Sequence, residues 1–341
     1  MCPHSNSMIS ELPIVGITMG DAAGIGPEIV LKALEDNSLK EVCRCVIIGD
    51  ASFLRKTAAT KLASTFDLVP FGEIADNSVE VFDLANLPAE FTIGVDAAVT
   101  GKASAHNIEA AVSLWRDGKI DSICTAPISK KAIHLGGYDF PGHTEFLAKL
   151  TDTKDFRMSF FAEGLRTVLL STHLPILRAI ELIKKDNLID LISFTDREMS
   201  KLLGRKASIA VAGLNPHASE GGMFGSEEAA EITPAIQHCH AALGIDVAGP
   251  YSPDTIFLRG FKGDFDVVVA LYHDQATIAV KSLSFGSGVN VTLGLPVIRT
   301  SVDHGTAFDI AGKGIAEASS MISAIKLAGE LVNGSQNRVK V

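Results

Sequence analysis

Three short apolar runs, rich in β-branched residues, each lead into a histidine. The runs are Thr167–His173, Ser208–His217 and Asp266–His273. Runs of Val, Ile and Leu without strict polar alternation are typical of strands buried on both faces, as in parallel α/β sheets. Such sheets bind their ligands just beyond the carboxyl ends of the strands. We therefore predict three buried strands whose following histidines meet at one edge of a sheet.

The hydrophobic pattern also predicts alternating strands and helices elsewhere in the chain. Strands are predicted at Ile14–Met19, Val42–Ile48, Val79–Phe82 and Ser122–Thr125, and helices after Pro27 through Leu34, over about Ala105–Trp115, Ser226–Leu243 and Ala316–Val332. This alternation indicates an α/β fold with a doubly wound sheet.

We predict two domains with a cleft between them. Residues 1–12 are predicted to form a flexible leader, residues 13–130 with 305–341 a first α/β/α domain, and residues 131–304 a second α/β domain that carries the histidines. The C-terminal helix is expected to pack back on the first domain. A chain of 341 residues has the length for two domains of ordinary size.

A glycine-rich turn, Gly20–Glu28, follows the first predicted strand. Pro27 and Glu28 suit a first helical turn, where a missing N–H costs nothing and a carboxylate meets the positive end of the helix dipole. The spacing of a G-x-G-x-x-G fingerprint fails, because Ile29 stands at its third glycine position. The Gly-Lys-Ser/Thr of a P-loop is absent as well, so this turn predicts neither of the two usual nucleotide motifs.

Composition excludes several classes of function. The formal net charge is −10 and the sequence contains no long Lys/Arg block, which argues against nucleic-acid binding. Apolar residues make up 47% of the chain, yet no run is long enough to span a bilayer, and the N-terminal residues do not resemble a secretory signal. We predict a cytoplasmic protein. Its five cysteines have no CxxC spacing and are expected to be reduced thiols, not metal ligands.

The repeated histidines indicate a metal site. A single histidine at a strand end more often caps the strand or hydrogen-bonds within a loop. His173, His217 and His273 stand at three equivalent positions, which favours a divalent metal ion with coordination positions open to substrate or water. Asn215 and Asp274 are neighbouring polar groups able to orient a ligating ring.

Two regions of the sequence suit a phosphorylated substrate. The turn Pro141–Phe146 opens a helix and offers His143 and Thr144 to an anion, although for this turn taken alone an ordinary glycine turn with a threonine cap is the safer interpretation. Three further polar residues, Lys281, Asn290 and Arg299, stand in apolar or strand-like stretches. A cation in such surroundings needs an anionic partner, and a phosphate would supply one. The polar cluster Ser301–Asp309 is either a hinge, a cofactor contact or a buried crossover.

Taken together, the motifs resemble one family along nearly the whole chain and in the right order. They are Thr18–Glu28, Thr125–Pro127, Pro141–Glu145, Ser171–His173, Asn215–Ala218, Pro253–Thr255, Tyr272–Gln275 and Arg299–Ala307. The set is similar to the 4-hydroxythreonine-4-phosphate dehydrogenase (PdxA) family of pyridoxal phosphate biosynthesis, including the related D-threonate and D-erythronate 4-phosphate dehydrogenases. The resemblance implies a two-domain α/β/α fold like that of isocitrate and isopropylmalate dehydrogenases. It also implies a homodimer with the active site in the interdomain cleft at the dimer interface.

The resemblance assigns roles to the candidate residues. It implies that His173, His217 and His273 bind a divalent metal such as Zn, Co, Mg or Mn, with one histidine reaching in from the partner subunit. It implies NAD as the cofactor, and a substrate-binding set made of His143, Thr144, Lys281, Asn290 and Arg299. From residue type and neighbourhood we expect Asp254 or Asp274 to take the substrate's hydroxyl proton and Lys281 to balance charge.

The implied reaction is the NAD-dependent oxidation of 4-phosphohydroxy-L-threonine to 2-amino-3-oxo-4-phosphooxybutanoate, which loses carbon dioxide to give 3-amino-2-oxopropyl phosphate. The motifs do not separate this substrate from D-threonate or D-erythronate 4-phosphate. Two further alternatives are a metal-dependent phosphoester hydrolase and a non-catalytic sugar-phosphate sensor. The chain departs from many relatives at Ala22, where they have proline, and at Ala276, where they have glycine.

Overall fold

The structure is a computed structural model that describes residues 12–62, 64–283 and 288–336. It divides into two compact units. Unit 1 is formed by residues 12–156 together with Leu295–Asn333, and unit 2 by Arg157–Gly294 together with residues 334–336. The predicted leader lies outside the described residues except for Leu12. The predicted α/β class and the presence of two units are confirmed.

In the described residues, unit 1 contains six strands that all run parallel to their neighbours. They are β1 (Ile14–Thr18), β2 (Arg44–Gly49), β3 (Asp67–Pro70), β4 (Ser78–Asp83), β5 (Ser122–Thr125) and β12 (Ile298–Ser301), in the order β3-β4-β2-β1-β5-β12. The α-helices are α1 (Gly26–Ala33), α2 (Ala51–Thr57), α3 (Ala98–Arg116), α4 (Lys130–Leu135), α5 (His143–Leu150) and the C-terminal α11 (Ser319–Gln336). A 3₁₀ helix covers Asn37–Glu41 and a π-helical turn Ala58–Leu62. The four strands predicted here are confirmed, and β3 was not predicted.

The strand order of unit 1 places a topological switch point between β1 and β5. The chain leaves β1 toward β2 and β4 on one side, and it returns through α3 to β5 on the other side. At such a point the loops after two neighbouring parallel strands diverge, and open α/β sheets bind ligands in the crevice that results. The loops concerned are the glycine-rich turn after β1 and Ala126–Pro127 after β5.

The C-terminal helix packs on unit 1, as predicted. The Thr300 hydroxyl on β12 donates to the carbonyl of Ala324, and the Asn333 amide donates to the carbonyl of Val42. The segment leading into this helix is held by Glu28, whose buried carboxylate accepts the N–H groups of Gly314 and Ala316.

Unit 2 also contains six strands in its described part. They are β6 (Arg157–Ala162), β7 (Leu165–Leu169), β8 (Ile209–Ala212), β9 (Val247–Tyr251), β10 (Val267–Ala270) and β11 (Val289–Leu293), in the order β11-β6-β7-β10-β8-β9. The α-helices are α6 (Ile176–Glu181), α7 (Lys185–Leu203), α8 (Thr233–Ala241), α9 (Pro253–Phe261) and α10 (His273–Leu283). The pairs β7–β10, β10–β8 and β8–β9 are parallel, whereas β6 runs antiparallel to both β7 and β11.

The boundaries between the units differ from the predicted ones at residues 130 and 304. Residues 131–156 and 295–304 belong to unit 1, not to a second domain. The physical reason is packing, because Phe146 and Leu147 of α5 and the segment around Val297 bury their side chains in the same core cluster as α3. Strand β12 moreover pairs with β5. His143, Thr144 and Arg299 therefore lie in unit 1.

The structure also bears on the predicted state of the cysteines and on the prediction that no segment spans a membrane. Cys43, Cys45, Cys124 and Cys239 are free thiols, in agreement with the prediction, while Cys2 lies outside the described residues. Among the helices of the described part of the chain, none combines the length and the apolar character that a membrane crossing requires.

Candidate active site

The three strands that precede the histidines are neighbours in unit 2. Strand β10 lies between β7 and β8 and is parallel to both, with Ala270 opposite Leu169 and Val269 opposite Val211. The carboxyl ends of all three strands therefore lie at one edge of the sheet. The prediction that the three histidine-bearing strand ends meet at one edge is confirmed.

Two of the three histidines are brought side by side. The rings of His173 and His273 have their centroids 5.6 Å apart at an angle of 43°. The Nδ1 atom of His273 lies 2.7 Å from an Asp274 carboxylate oxygen, and Phe160 packs edge-on against the same ring. A carboxylate at Nδ1 orients the imidazole and directs Nε2 toward a ligand, as in many metal sites.

His217 lies on a turn of unusual backbone conformation. Four consecutive non-glycine residues, His217 to Glu220, have φ between 41° and 65°. The left-handed region costs an L-residue about 1–2 kcal/mol, so the turn needs compensating contacts. Glu228 provides them, because its buried carboxylate accepts the backbone N–H groups of Leu214 and Asn215 and the side-chain amide of Asn215, all within 2.7–2.8 Å.

The chemistry around His217 differs from that around the other two histidines. His217 packs against Phe224 and lies near Asp254. The Ser252 hydroxyl, which donates to Asp254, lowers the pKa of that carboxyl, and the charge of His217 lowers it further. Asp254 is thus held as an acceptor, the form a general base requires.

The described residues of one chain do not complete a metal site. Nowhere in residues 12–62, 64–283 and 288–336 do three His, Cys, Asp or Glu side chains group in a way that holds a metal ion. The pair His173 and His273 nevertheless has the donor chemistry for a divalent transition metal, with imidazole nitrogens at the open end of a sheet. This pair fits a metal ion whose coordination is completed by further ligands.

The predicted catalytic residues lie on two helices that begin at this edge of unit 2. Asp254 is in the first turn of α9 and Asp274 in the first turn of α10, and both are exposed. Lys281 is in the last turn of α10 and is also exposed. The structure thus brings Asp274 into contact with His273, whereas Asp254 is within electrostatic range of His217.

Arg299 is a buried cation in unit 1. Its side chain stands on β12 at 3% exposure, and it donates a 2.8 Å hydrogen bond to the Thr125 hydroxyl at the end of β5. Burial lowers the pKa of Arg299 to about 10, against the opposing influence of Cys124 and Glu145, so the guanidinium remains charged at neutral pH. A charge at this depth is suited to a phosphate or carboxylate, which a guanidinium binds through two parallel N–H groups.

His143 stands at the start of α5, near Arg299. Burial, helped by the positive charge of Arg299, lowers the pKa of His143 well below its usual range, so the imidazole is neutral. No group in the described part of the chain hydrogen-bonds to its buried Nε2 atom. The same holds for the buried Oδ1 atom of Asn290, on β11 of unit 2. Buried polar atoms normally have partners, and an orphaned one points to a bound ligand or water.

Unit 1 contains a cavity of about 710 Å³ that is lined by aromatic, aliphatic, cationic and acidic side chains. They include Asp50, Phe53, Lys56, Leu87, Phe91 and Ile93. The Phe53 and Phe91 rings lie 5.2 Å apart, and Asp50 follows β2 directly, where its carboxylate accepts the N–H groups of Phe53 and Leu87. The volume falls within the range of small-molecule sites. In dinucleotide-binding folds, an acidic residue at this end of the second strand binds the ribose hydroxyls.

Sequence reasoning did not single out Asp50, Asp21, Glu228 or Gln275. Asp21 lies at the switch point between β1 and β5, where its Oδ1 atom accepts the N–H of Ala23. Its buried Oδ2 atom has no hydrogen-bond partner among the described residues, and burial raises the pKa of Asp21, helped by the charge of Asp96. Asp21 and Asp50 each stand two residues after the end of a predicted strand, and this position of an acidic residue could have identified them as candidate site residues.

Comparison with known proteins matches this chain to one family. Residues 41–328 match the family described as pyridoxal phosphate biosynthetic protein PdxA. The chain is 45% identical over 330 residues to D-threonate 4-phosphate dehydrogenase of Cupriavidus necator, covering 95% of this chain and 98% of that protein. It is 42% identical over 327 residues to 4-hydroxythreonine-4-phosphate dehydrogenase of Desulforapulum autotrophicum, covering 94% and 96%. The crystal structure of 4-hydroxythreonine-4-phosphate dehydrogenase from Klebsiella pneumoniae superimposes with a TM-score of 0.86 at 37% identity, covering 94% and 99%.

Proposed function

The chain belongs to the PdxA family of dehydrogenases, and we propose that it catalyses the NAD- and divalent-metal-dependent oxidation of a phosphorylated hydroxy acid. Dehydrogenase relatives of nearly full length support an oxidoreductase, so a hydrolase or a sensor has no support among them. The observation that carries the metal part is the side-by-side pair of His173 and His273 at adjacent parallel strand ends.

In this proposal, different residues of unit 2 bind the metal, accept the proton and balance the charge of the substrate. His173, His217 and His273 would hold a divalent metal, which would make the substrate hydroxyl more acidic. Asp254 or Asp274 then accepts the hydroxyl proton, and the exposed Lys281 balances negative charge on the substrate. The Asp274 carboxylate also holds the His273 ring in orientation through Nδ1.

We further propose that the protein acts as a homodimer, in which a second copy supplies one of the three histidines. The described residues of one chain bring only two of them together. Large apolar side chains are exposed next to each histidine: Leu174, Ile176 and Leu177 after His173, Met223 and Phe224 after His217, and Ile278 on α10 after His273. Leu177, Met223 and Ile278 are 73%, 76% and 65% exposed. Exposed apolar groups around an incomplete polar site support its burial by another protein surface.

The anionic end of the substrate is assigned to His143, Thr144, Lys281, Asn290 and Arg299. Arg299 supplies a buried positive charge, and His143 and Asn290 supply buried polar atoms that have no partner among the described residues. NAD is assigned to the cavity of unit 1, where the Phe53 and Phe91 rings suit the adenine and the Asp50 carboxylate suits ribose hydroxyls. A carboxylate at this position also disfavours the 2′-phosphate of NADP.

As the substrate we propose 4-phosphohydroxy-L-threonine. Its oxidation at C3 would be followed by decarboxylation to 3-amino-2-oxopropyl phosphate, which would give the protein a role in pyridoxal phosphate biosynthesis. The second candidate is D-threonate 4-phosphate, favoured by the 45% identity to the Cupriavidus necator protein of that name. The two molecules differ at C2, which carries an amino group in one and a hydroxyl in the other. Both present the same phosphate and the same C3 hydroxyl to the assigned residues.

The deciding experiment measures NADH formation by the purified protein with a divalent metal. It compares 4-phosphohydroxy-L-threonine with D-threonate and D-erythronate 4-phosphates at matched concentrations. Preference for the amino acid supports a role in vitamin B6 synthesis, and preference for a sugar acid supports catabolism with the same metal and phosphate residues. Absence of NADH with all three, together with release of inorganic phosphate, would overturn the dehydrogenase proposal.

A further inference from the structure

Two buried side chains link the three histidine-bearing strand ends beyond the last paired residues of the sheet. The Ser171 hydroxyl, on the segment after β7, donates a 3.0 Å hydrogen bond to the carbonyl of Leu271, on the segment after β10. The Gln275 carbonyl oxygen accepts the N–H of Leu271 at 2.8 Å. The Gln275 amide nitrogen donates to the carbonyl of Gly213, after β8, also at 2.8 Å.

These links lie close in sequence to the predicted metal ligands. Ser171 is just before His173, Leu271 is just before His273, and Gly213 precedes the turn that carries His217. The backbone hydrogen bonds between these segments end earlier, with the bond from the Leu170 N–H to the Ala270 carbonyl and at the Val269–Val211 pair. Past that point the hydroxyl and the amide replace the missing backbone hydrogen bonds between the three segments.

A primary amide is particularly suited to this position. Gln275 has one acceptor and one donor group, as a peptide unit has, and each is used once between two neighbouring strand ends. The residue is only 8% exposed, so the loss of either bond would leave a buried backbone group without its partner. The amide therefore sets the spacing between the segments that carry His273 and His217, and Ser171 sets that between His173 and His273.

We propose that Gln275, with Ser171, is a positioning residue for the metal site, a role that rests on the proposed function of the three histidines. The Gln275 amide is engaged by the backbone of Leu271 and Gly213, so it acts through the segments that it joins. It fixes the segments that carry the histidines within each copy, so that the histidines of one copy and the one supplied by the second copy meet at a shared ion. Its loss weakens metal binding more than it weakens the fold, because helix α10 and the strand cores remain packed through Ala276 and Val280.

The test measures Co²⁺ binding by the purified full-length protein after metal removal, without substrate or NAD. The variants are Gln275→Met, which keeps the size and removes both hydrogen bonds, and Ser171→Ala, with Ser171→Thr as the variant that keeps a hydroxyl. Changes of residues that orient metal ligands typically weaken metal binding about 10- to 100-fold. We expect a loss of this size and an altered Co²⁺ absorption spectrum for Gln275→Met and Ser171→Ala, with recovery in Ser171→Thr.

The matched control is Thr195→Val. This change also removes a buried side-chain hydrogen bond in unit 2, from the Thr195 hydroxyl to the carbonyl of Leu191 within α7. We expect wild-type Co²⁺ affinity from it.

If wild-type protein binds Co²⁺ and both Gln275→Met and Ser171→Ala bind it equally well with the same spectrum, the positioning role is overturned. If wild-type protein binds no Co²⁺, the proposed metal site fails first, so the two failures are distinguishable. Should Gln275→Met not fold, Ser171→Ala decides by itself.

Discussion

The guanidinium of Arg299 donates a hydrogen bond to the Thr125 hydroxyl, across the neighbouring strands β12 and β5 of unit 1. Both residues are almost fully buried. The bond therefore fixes the direction of a charge that burial would otherwise make costly. It leaves the planar guanidinium in one orientation, the condition for binding a phosphate through paired N–H groups.

Arg299→Lys should weaken binding of the phosphorylated substrate. Lysine keeps the charge but lacks the planar fork, and a hydrogen bond to a charged group contributes about 1.5–3 kcal/mol. The expected result is a KM for the phosphorylated substrate raised roughly 10- to 100-fold, measured by steady-state NADH formation. Arg44→Lys is the control, since Arg44 pairs with Glu80 between β2 and β4 and has no assigned role in binding. Equal KM values for both variants would contradict the role of Arg299.

Removal of the predicted metal ligands should abolish metal-dependent activity. His173→Ala and His273→Ala each remove one imidazole of the pair whose rings lie 5.6 Å apart. We expect loss of bound metal by elemental analysis and a fall in kcat of at least about 100-fold, because the hydroxyl pKa is no longer lowered. His238→Ala, an exposed histidine of α8, is expected to keep both metal and activity. Full activity of His273→Ala in metal-free buffer would contradict the assignment.

Asp21→Asn should stabilise the protein in a pH-dependent way. Burial raises the pKa of Asp21 in the folded state above its unfolded value, so the folded protein favours the protonated carboxyl. Its contribution to stability is fully present below the unfolded pKa and is lost as the pH rises through the folded pKa. The neutral amide avoids this loss. Melting temperatures should thus favour the variant more at pH 8 than at pH 4.5, and an equal difference at both pH values would disprove the effect.

Filling the cavity of unit 1 should weaken NAD binding. Ala89 is exposed and lines the cavity, so Ala89→Trp places a large ring in the space assigned to the nucleotide. We expect the dissociation constant for NAD, measured by calorimetry on the purified protein, to rise at least about tenfold. Ala59→Trp is the matched control, because Ala59 is also exposed but does not line the cavity. Unchanged NAD affinity in Ala89→Trp would place the cofactor elsewhere.

Glu228→Ala should destabilise the turn that carries His217. Three donors from Leu214 and Asn215 lose a buried acceptor, and unsatisfied buried groups cost about 1–3 kcal/mol each, with partial relief from water. The free energy of unfolding, measured with urea, should fall by about 2–4 kcal/mol. Glu227→Ala is the control, because Glu227 is less buried and accepts only one of these donors, the Asn215 amide. A smaller effect at Glu228 than at Glu227 would show that the turn is held by other contacts.

The local sequence pattern was sufficient to predict the strands and helices that carry the candidate site. Each histidine-bearing strand consists of residues that favour burial on both faces, and β7, β8 and β10 appear where the apolar runs predicted them. The glycine turn and the helix after Pro27 were predicted from backbone requirements that belong to single residues. The candidate metal and phosphate residues were found because unusual polar groups follow, or interrupt, apolar runs.

The direction of each strand and its pairing partners could not be predicted from the hydrophobic pattern. Strand β6 is as apolar as its neighbours, but its antiparallel pairing with β7 and β11 depends on how the chain returns, which hydrophobicity does not encode. The helix His143–Leu150 has an amphipathic sequence, yet only its packing beside α3 placed His143 and Thr144 in unit 1. The domain boundaries were misplaced for the same reason.

The sequence by itself determined which residues form strands, which histidines follow them and which family the motifs resemble, because these properties depend on side-chain type and short spacing. Only the tertiary structure decided that β10 lies between β7 and β8, that His173 meets His273, and that Gln275 joins the strand ends. These relationships join residues far apart in the chain. They depend on strand order and on the satisfaction of buried hydrogen bonds, which no single stretch of sequence contains.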